Sequence, residues 1–251
     1  MPKRLGAFEK PNRLKKEEDT ATDTYAKFVA EPFEIGYGHT IGNSMRRVLM
    51  SSLEGAATTS LKVDGAHHEF ATIEDVVEDM AEIILNLKEV NIRLLDGEEK
   101  QIQVKKEGAG AVAAKDLQVD AQIEIMNPDQ HIATLDKDGV LDMELTIGKG
   151  RGYVLADTNK SPDHPMGTIA LDSAFSPVRK VHYEVDNARV GQQTDYDKLT
   201  LEVWTNGAVR PDDAVAHAAS VLKEHLELFI NFDEDPEPEE EEIVDEETHR
   251  I

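Results

Sequence analysis

The sequence predicts an α+β protein, and three observations carry that expectation. Between Val90 and Val185 apolar residues recur with period two, the spacing of half-buried strands. Helical spacing is confined to a few segments near Ile41–Leu53, Ile73–Leu87 and the stretch from Pro211. Strands do not alternate regularly with helices, and no repeat of about 20–50 residues is visible, which excludes a parallel βαβ sheet and a solenoid.

Taken in order, residues 1–20 read as a mobile arm of mixed charge. Thr24–Ala30 reads as a strand. Gly36, Gly38 and Gly42 read as a turn before a helix over about Ile41–Leu53. A second helix starts at an expected Thr72 N-cap, with Glu74 and Asp75 in its first turn. Its apolar stripe is Ile73, Val76, Val77, Met80, Ile83, Ile84 and Leu87. Val90–Leu95 and Gln101–Lys105 flank Asp96-Gly97 and read as a hairpin. Gln122–Met126, His131–Leu135, Val140–Ile147, Val178–Val185 and Lys198–Trp204 are further strands. A last helix begins at Pro211, a favoured first helical position, with Asp212 and Asp213 suiting the helix dipole.

Two helices show more than a core stripe. In the last, Val215, Ala219, Leu222, Leu226 and Phe229 are spaced 4, 3, 4, 3, like a heptad. That pattern suits either packing on the chain's own sheet or pairing with another helix. In the first, Ile41, Met45, Val48, Leu49 and Leu53 share the core face, with Arg46 near its edge. Asn43, Arg47 and Met50 lie roughly opposite. An arginine beside a methionine suits a partner-binding patch, directed pairing with adaptable apolar contact, or else a plain solvated face.

Composition narrows the function. The 251 residues carry 27 Lys+Arg against 51 Asp+Glu, a net charge of −24, and no cysteine. Disulfides, thiolate nucleophiles and Cys-ligated metal sites are thereby excluded. No apolar run approaches the roughly 20 residues of a membrane span, and no signal peptide is visible, so a cytoplasmic location is expected. Residues 233–247 hold 11 of the acids and no base, so 233–251 reads as an acidic disordered tail or linker. Outside 233–247 the charge is still −13, which disfavours stand-alone DNA or RNA binding.

Catalytic patterns fail one by one. There is no phosphate-binding GxxxxGK[ST] loop, no GxGxxG after a strand and no HExxH. Gly148-Lys149-Gly150-Arg151-Gly152 precedes no helix N-terminus and reads as a turn between strands. His67 and His68 are neighbours on an expected strand, so their side chains point apart. Asp136-Lys137-Asp138-Gly139 lacks the spaced carboxylates and closing Glu of a calcium loop. No catalytic residue, metal site or cofactor is expected in this chain.

The stretch from Glu31-Pro32-Phe33-Glu34-Ile35-Gly36 through Asn43-Ser44-Met45-Arg46-Arg47-Val48-Leu49-Met50-Ser51-Ser52 closely resembles the signature of the bacterial DNA-directed RNA polymerase alpha subunit. Phe8–Leu14, Asp79–Lys88, Gly150–Val154, Phe175–Val178, Ala188–Val190 and Thr194–Leu199 resemble that family as well, in the family's order over about residues 5–232.

The resemblance implies a homodimeric, non-catalytic platform on which the beta and beta-prime subunits assemble, with catalysis and its magnesium in those partners. It implies a discontinuous dimerisation domain of sheet plus two helices, 1–54 and 177–232, with a strand-rich domain inserted at 55–176. The helices at 41–53 and 211–230 pair across the dimer, which places Val215, Ala219, Leu222, Leu226 and Phe229 at the dimer interface. Arg47 and Met50 match family contacts to beta, and Lys88 and Leu171 match contacts to beta-prime. Family members continue past an acidic linker into a domain that binds upstream DNA. This sequence stops at Ile251, so direct DNA binding is not expected from it, nor is a membrane role. The competing reading is an independent acidic protein-binding dimer outside any polymerase.

Overall fold

The structure, a computed structural model, describes residues 10–162, 164–190 and 193–230. Its first half runs β1 (Lys15–Lys16), β2 (Tyr25–Glu34), α1 (Tyr37–Ser51), β3 (Glu54–Val63), α2 (Met80–Lys88), β4 (Ile92–Leu94), β5 (Glu99–Glu107) and β6 (Gly110–Ala113). After a short 3₁₀ turn come β7 (Ile123–Ile125), β8 (His131–Leu135), β9 (Val140–Arg151), β10 (Tyr153–Val154) and α3 (Ala156–Asn159). The remainder is β11 (Thr168–Ala170), β12 (Ser173–Ala174), β13 (Val178–Val190), β14 (Gln193–Thr205) and α4 (Pro211–Ile230). The mixture of antiparallel sheets and few helices is the α+β class expected.

Two hydrophobic cores divide these elements. The smaller uses the sheet β1-β2-β14-β13, antiparallel throughout. Period-two burial of Ala26 and Phe28 on β2 and of Leu201 and Val203 on β14 turns one sheet face inward. Met45, Leu49 and Leu53 from α1 and its C-terminal turn, with Ala214, Val215 and Ala218 from α4, cover that face. The opposite face is polar: the Tyr25 hydroxyl donates to Glu202 at 2.6 Å, which pushes its pKa up to about 12, and Lys180 lies 4.5 Å over the Trp204 ring. The larger core runs from Leu61 to Leu171 and is built on the sheet β5-β9-β3-β4-β7 with α2 packed over it.

Several local expectations change. Lys15–Lys16 of the expected arm pair with β2, and Lys16 reaches Asp212 at 2.8 Å; residues 1–9 lie outside the described residues. The helix at 41–53 starts four residues earlier. Gly38 and Gly42 are inside it because the sheet passes too close for side chains: a Cβ on Gly42 would sit 2.6 Å from the Tyr183 ring. Gly36 (φ 86°) forms the turn, and the buried Asp197 of β14 accepts from the Gly36 and Gly38 N–H groups at 2.8 and 3.1 Å. A carboxylate from another strand thus supplies the cap that α1 lacks locally.

The second helix begins at Met80, not Thr72. Asp79 is its N-cap, accepting from the Glu82 N–H at 2.8 Å. Residues 72–78 lie instead as an irregular strap against β8. The Val77 N–H donates to the Thr134 carbonyl, and the Glu78 carboxylate accepts from the Thr134 N–H (2.6 Å), the Thr134 hydroxyl (3.0 Å) and His131 (2.8 Å). The β4–β5 hairpin does not form. β9 and β3 separate the two strands, and Asp96-Gly97 turns the chain between distant edges. Gly148–Arg151 continue β9 against β3 rather than making a turn, and His67–His68 lie in a loop.

Candidate functional site

On α1 the core stripe falls where expected, with Met45, Leu49 and Leu53 buried and Ile41 and Val48 packed at its edge. Asn43, Arg46, Arg47 and Met50 are exposed. Arg46, expected near the core edge, turns outward and donates to Asn43 Oδ1 at 3.2 Å. Among the described residues the Arg47 guanidinium makes no hydrogen bond or ion pair, although cations such as Lys16 and Arg151 pair with carboxylates elsewhere. Only its backbone is engaged, its carbonyl accepting from Ser51 at 2.8 Å. A rigid helix therefore presents a flat five-donor cation to solvent, one turn from the 38% exposed Met50.

Lys88, last residue of α2, holds Asp172 at 3.7 Å. Asp172 is occupied further: it accepts from the Ala156 N–H at 2.7 Å and from the Tyr153 hydroxyl, and these bonds, with Lys88 beside them, hold its carboxyl below the usual range. Leu171 is only 3% exposed and belongs to the larger core, its N–H donating to the Thr59 carbonyl. Its side chain is therefore packed among its own chain's residues rather than standing out from the surface. Leu171 instead forms the floor of a groove beside Lys88 and fixes Asp172, the next residue, at the rim.

The stripe on α4 divides in two. Val215 is in the smaller core and Leu222 packs at its edge. Ala219 is exposed, and beyond it Leu226 (51% exposed) and Phe229 (77%), together with Leu228 and Ile230, are exposed among the described residues. The first half of the helix serves its own sheet, and the second projects an apolar end.

The surroundings of Lys88 carry little local signal in the sequence. A groove of about 310 Å³ lined by Phe70, Ala81, Leu85 and Lys88 lies on one side of the Lys88–Asp172 pair. On the other, a hollow of about 110 Å³ is lined by Lys88, Asn91, Tyr153, Arg179 and Asn206. Helical phase singles out Leu85, which falls off the stripe of Met80, Ile83, Ile84 and Leu87; Arg179 and Tyr153 converge only through the fold. Among the described residues no group of three or more His, Cys, Asp or Glu could hold a metal, and no helix is long and apolar enough to cross a membrane.

Comparison with known proteins bears on what these faces serve. Residues 61–176 match the family described as RNA polymerase Rpb3/RpoA insert domain. A DNA-directed RNA polymerase subunit alpha of Symbiobacterium thermophilum is 59% identical over 213 residues, 85% of this chain and 68% of the relative. Those of Geobacter metallireducens and Pelobacter propionicus are 54% and 50% identical over 96% of this chain and 71% of each relative. The chain belongs to the DNA-directed RNA polymerase alpha-subunit family.

The larger core, Leu61 to Leu171, falls wholly inside the matched insert domain, and the alignments with the alpha subunits extend over the smaller core as well. An independent acidic binding protein outside any polymerase is not favoured by relatives of this identity and coverage.

Proposed function

We propose that this chain is the non-catalytic alpha subunit of a DNA-directed RNA polymerase, a homodimeric platform for the beta and beta-prime subunits. One observation supports this reading most: Arg47, on a helix face spared from the core, has donors with no intrachain acceptor among the described residues. Arg47 and Met50 face beta, Lys88 with the Leu171–Asp172 turn faces beta-prime, and the exposed end of α4 pairs with α1 and α4 of a second copy. The dimerisation domain comprises 1–54 and 177–232 around an insert at 55–176. Polymerisation chemistry and its magnesium reside in the partners, in the cytoplasm, and this chain contributes no cofactor site.

Co-purification tests the proposal. Tagged chain should bring down two very large partner chains in a complex that extends RNA on a DNA template. Recovery of small basic proteins alone would contradict it.

A further inference from the structure

The surroundings of Lys88 differ chemically on its two sides. In the groove, Phe70 is 78% and Leu85 62% exposed, large apolar side chains left open among the described residues. In the hollow, Arg179 donates to Asn91 Oδ1 at 2.7 Å, a neutral acceptor, and among the described residues it has no carboxylate partner. Lys88 has one long ion pair to an Asp172 already satisfied by Ala156 and Tyr153, so its ammonium keeps donors to spare. Two cations, Lys88 and Arg179, thus line one hollow in a chain of net charge −24, and only Lys88 pairs with the Asp172 beside them.

Resting on the reading that Lys88 faces a large partner, we infer that the docking segment of beta-prime places a bulky apolar side chain between Phe70 and Leu85 and a carboxylate between Lys88 and Arg179. The volumes agree: about 310 Å³ accommodates a large side chain and about 110 Å³ a carboxylate with water. Charge complementarity favours a peptide carboxylate over nucleic acid, because a polyphosphate brings many charges into the −24 field and an acidic side chain brings one. Phe70, Leu85 and Arg179 are exposed, so changing them leaves the cores intact.

The test reconstitutes the full dimer with purified beta and beta-prime, comparing wild type, Leu85→Asp, Arg179→Glu and Lys88→Glu. Leu85→Asp and Arg179→Glu should each weaken beta-prime incorporation at least tenfold while dimerisation and melting temperature stay unchanged. Carbodiimide treatment of the wild-type complex should join Lys88 to an Asp or Glu of beta-prime, identified by mass spectrometry. If Lys88→Glu blocks incorporation but Leu85→Asp and Arg179→Glu do not, the inference is overturned and the placement of beta-prime stands. If none of the three matters, both fall. A cross-link from Lys88 to beta alone also overturns it.

Discussion

Three donors meet one carboxylate at Glu78, and the strap before α2 depends on them. Burial opposes the charge, but hydrogen bonds from His131 and from the Thr134 N–H and hydroxyl outweigh it and hold the carboxyl below its ordinary value. A carboxyl depressed in the folded state stabilises above its ordinary pKa, about 4.3, and loses that contribution as pH falls through the folded value. Glu78→Gln should therefore cost about 1.5–3 kcal/mol at neutral pH, the range for hydrogen bonds to a charged group. Thermal melts of the two proteins should converge as the buffer is brought below pH 4.3, about where the ordinary carboxyl titrates. A gap that stays constant down to acid pH would show that the charge is not what matters.

At the scale of elements, α4 carries the clearest stability prediction. Its exposed end gathers Leu226, Leu228, Phe229 and Ile230, more contiguous apolar surface than a solvated helix end ordinarily shows. If the proposed dimer forms through this end, Leu222→Glu with Leu226→Glu should give monomer or aggregate in sedimentation, and an unchanged dimer would place the interface elsewhere. Gly55 marks a second element-scale constraint, at the crossing between the two cores. A Cβ there would meet the Phe175 carbonyl oxygen, a backbone atom that cannot swing aside. Gly55→Ala should destabilise by about 1–3 kcal/mol, the range for overpacking, and a melting temperature within a degree of wild type would refute the close approach.

Elements whose signal is local were legible in the sequence. The core stripe of α1, the strands β2, β8, β13 and β14, and the start of α4 at Pro211 follow from periodicity and one favoured residue. What escaped depends on distant partners. Glycines read as turn residues belong to α1 because β13 and β14 press against it, and the Asp197 that caps it arrives from about 160 residues downstream. The apolar residues Ile73, Val76 and Val77 have helical spacing yet form a strap, because Glu78 and Val77 bond to β8 and Asp79 starts the helix. The Asp96-Gly97 turn resembles a hairpin turn because turn chemistry does not disclose which strands it joins. For the site the division is the same: helical phase marked Arg47 and Met50 as off the core, whereas the burial of Leu171 and the meeting of Tyr153 with Arg179 required the fold.

For the whole molecule, charge and surface jointly point to protein partners. A net charge of −24 opposes the counterion release that drives duplex binding, so a fluorescent promoter fragment should show no saturable binding to this chain at physiological salt. Saturable binding would contradict that expectation. In the proposed dimer the α1 face recruits beta, and Arg47 is the residue on which that recruitment turns. Its side chain contacts no core residue cluster, so Arg47→Ala should change stability by no more than about 0.5 kcal/mol. Loss of a hydrogen-bonded charge buried at an interface costs about 2–5 kcal/mol, roughly thirtyfold or more in affinity. Arg47→Lys should restore only part, since an ammonium lacks the planar fork. In a pull-down of purified beta by the Arg47→Ala protein, recruitment should be lost while the protein stays folded and dimeric; normal recruitment, or a protein that unfolds, would refute the assignment of this face to beta.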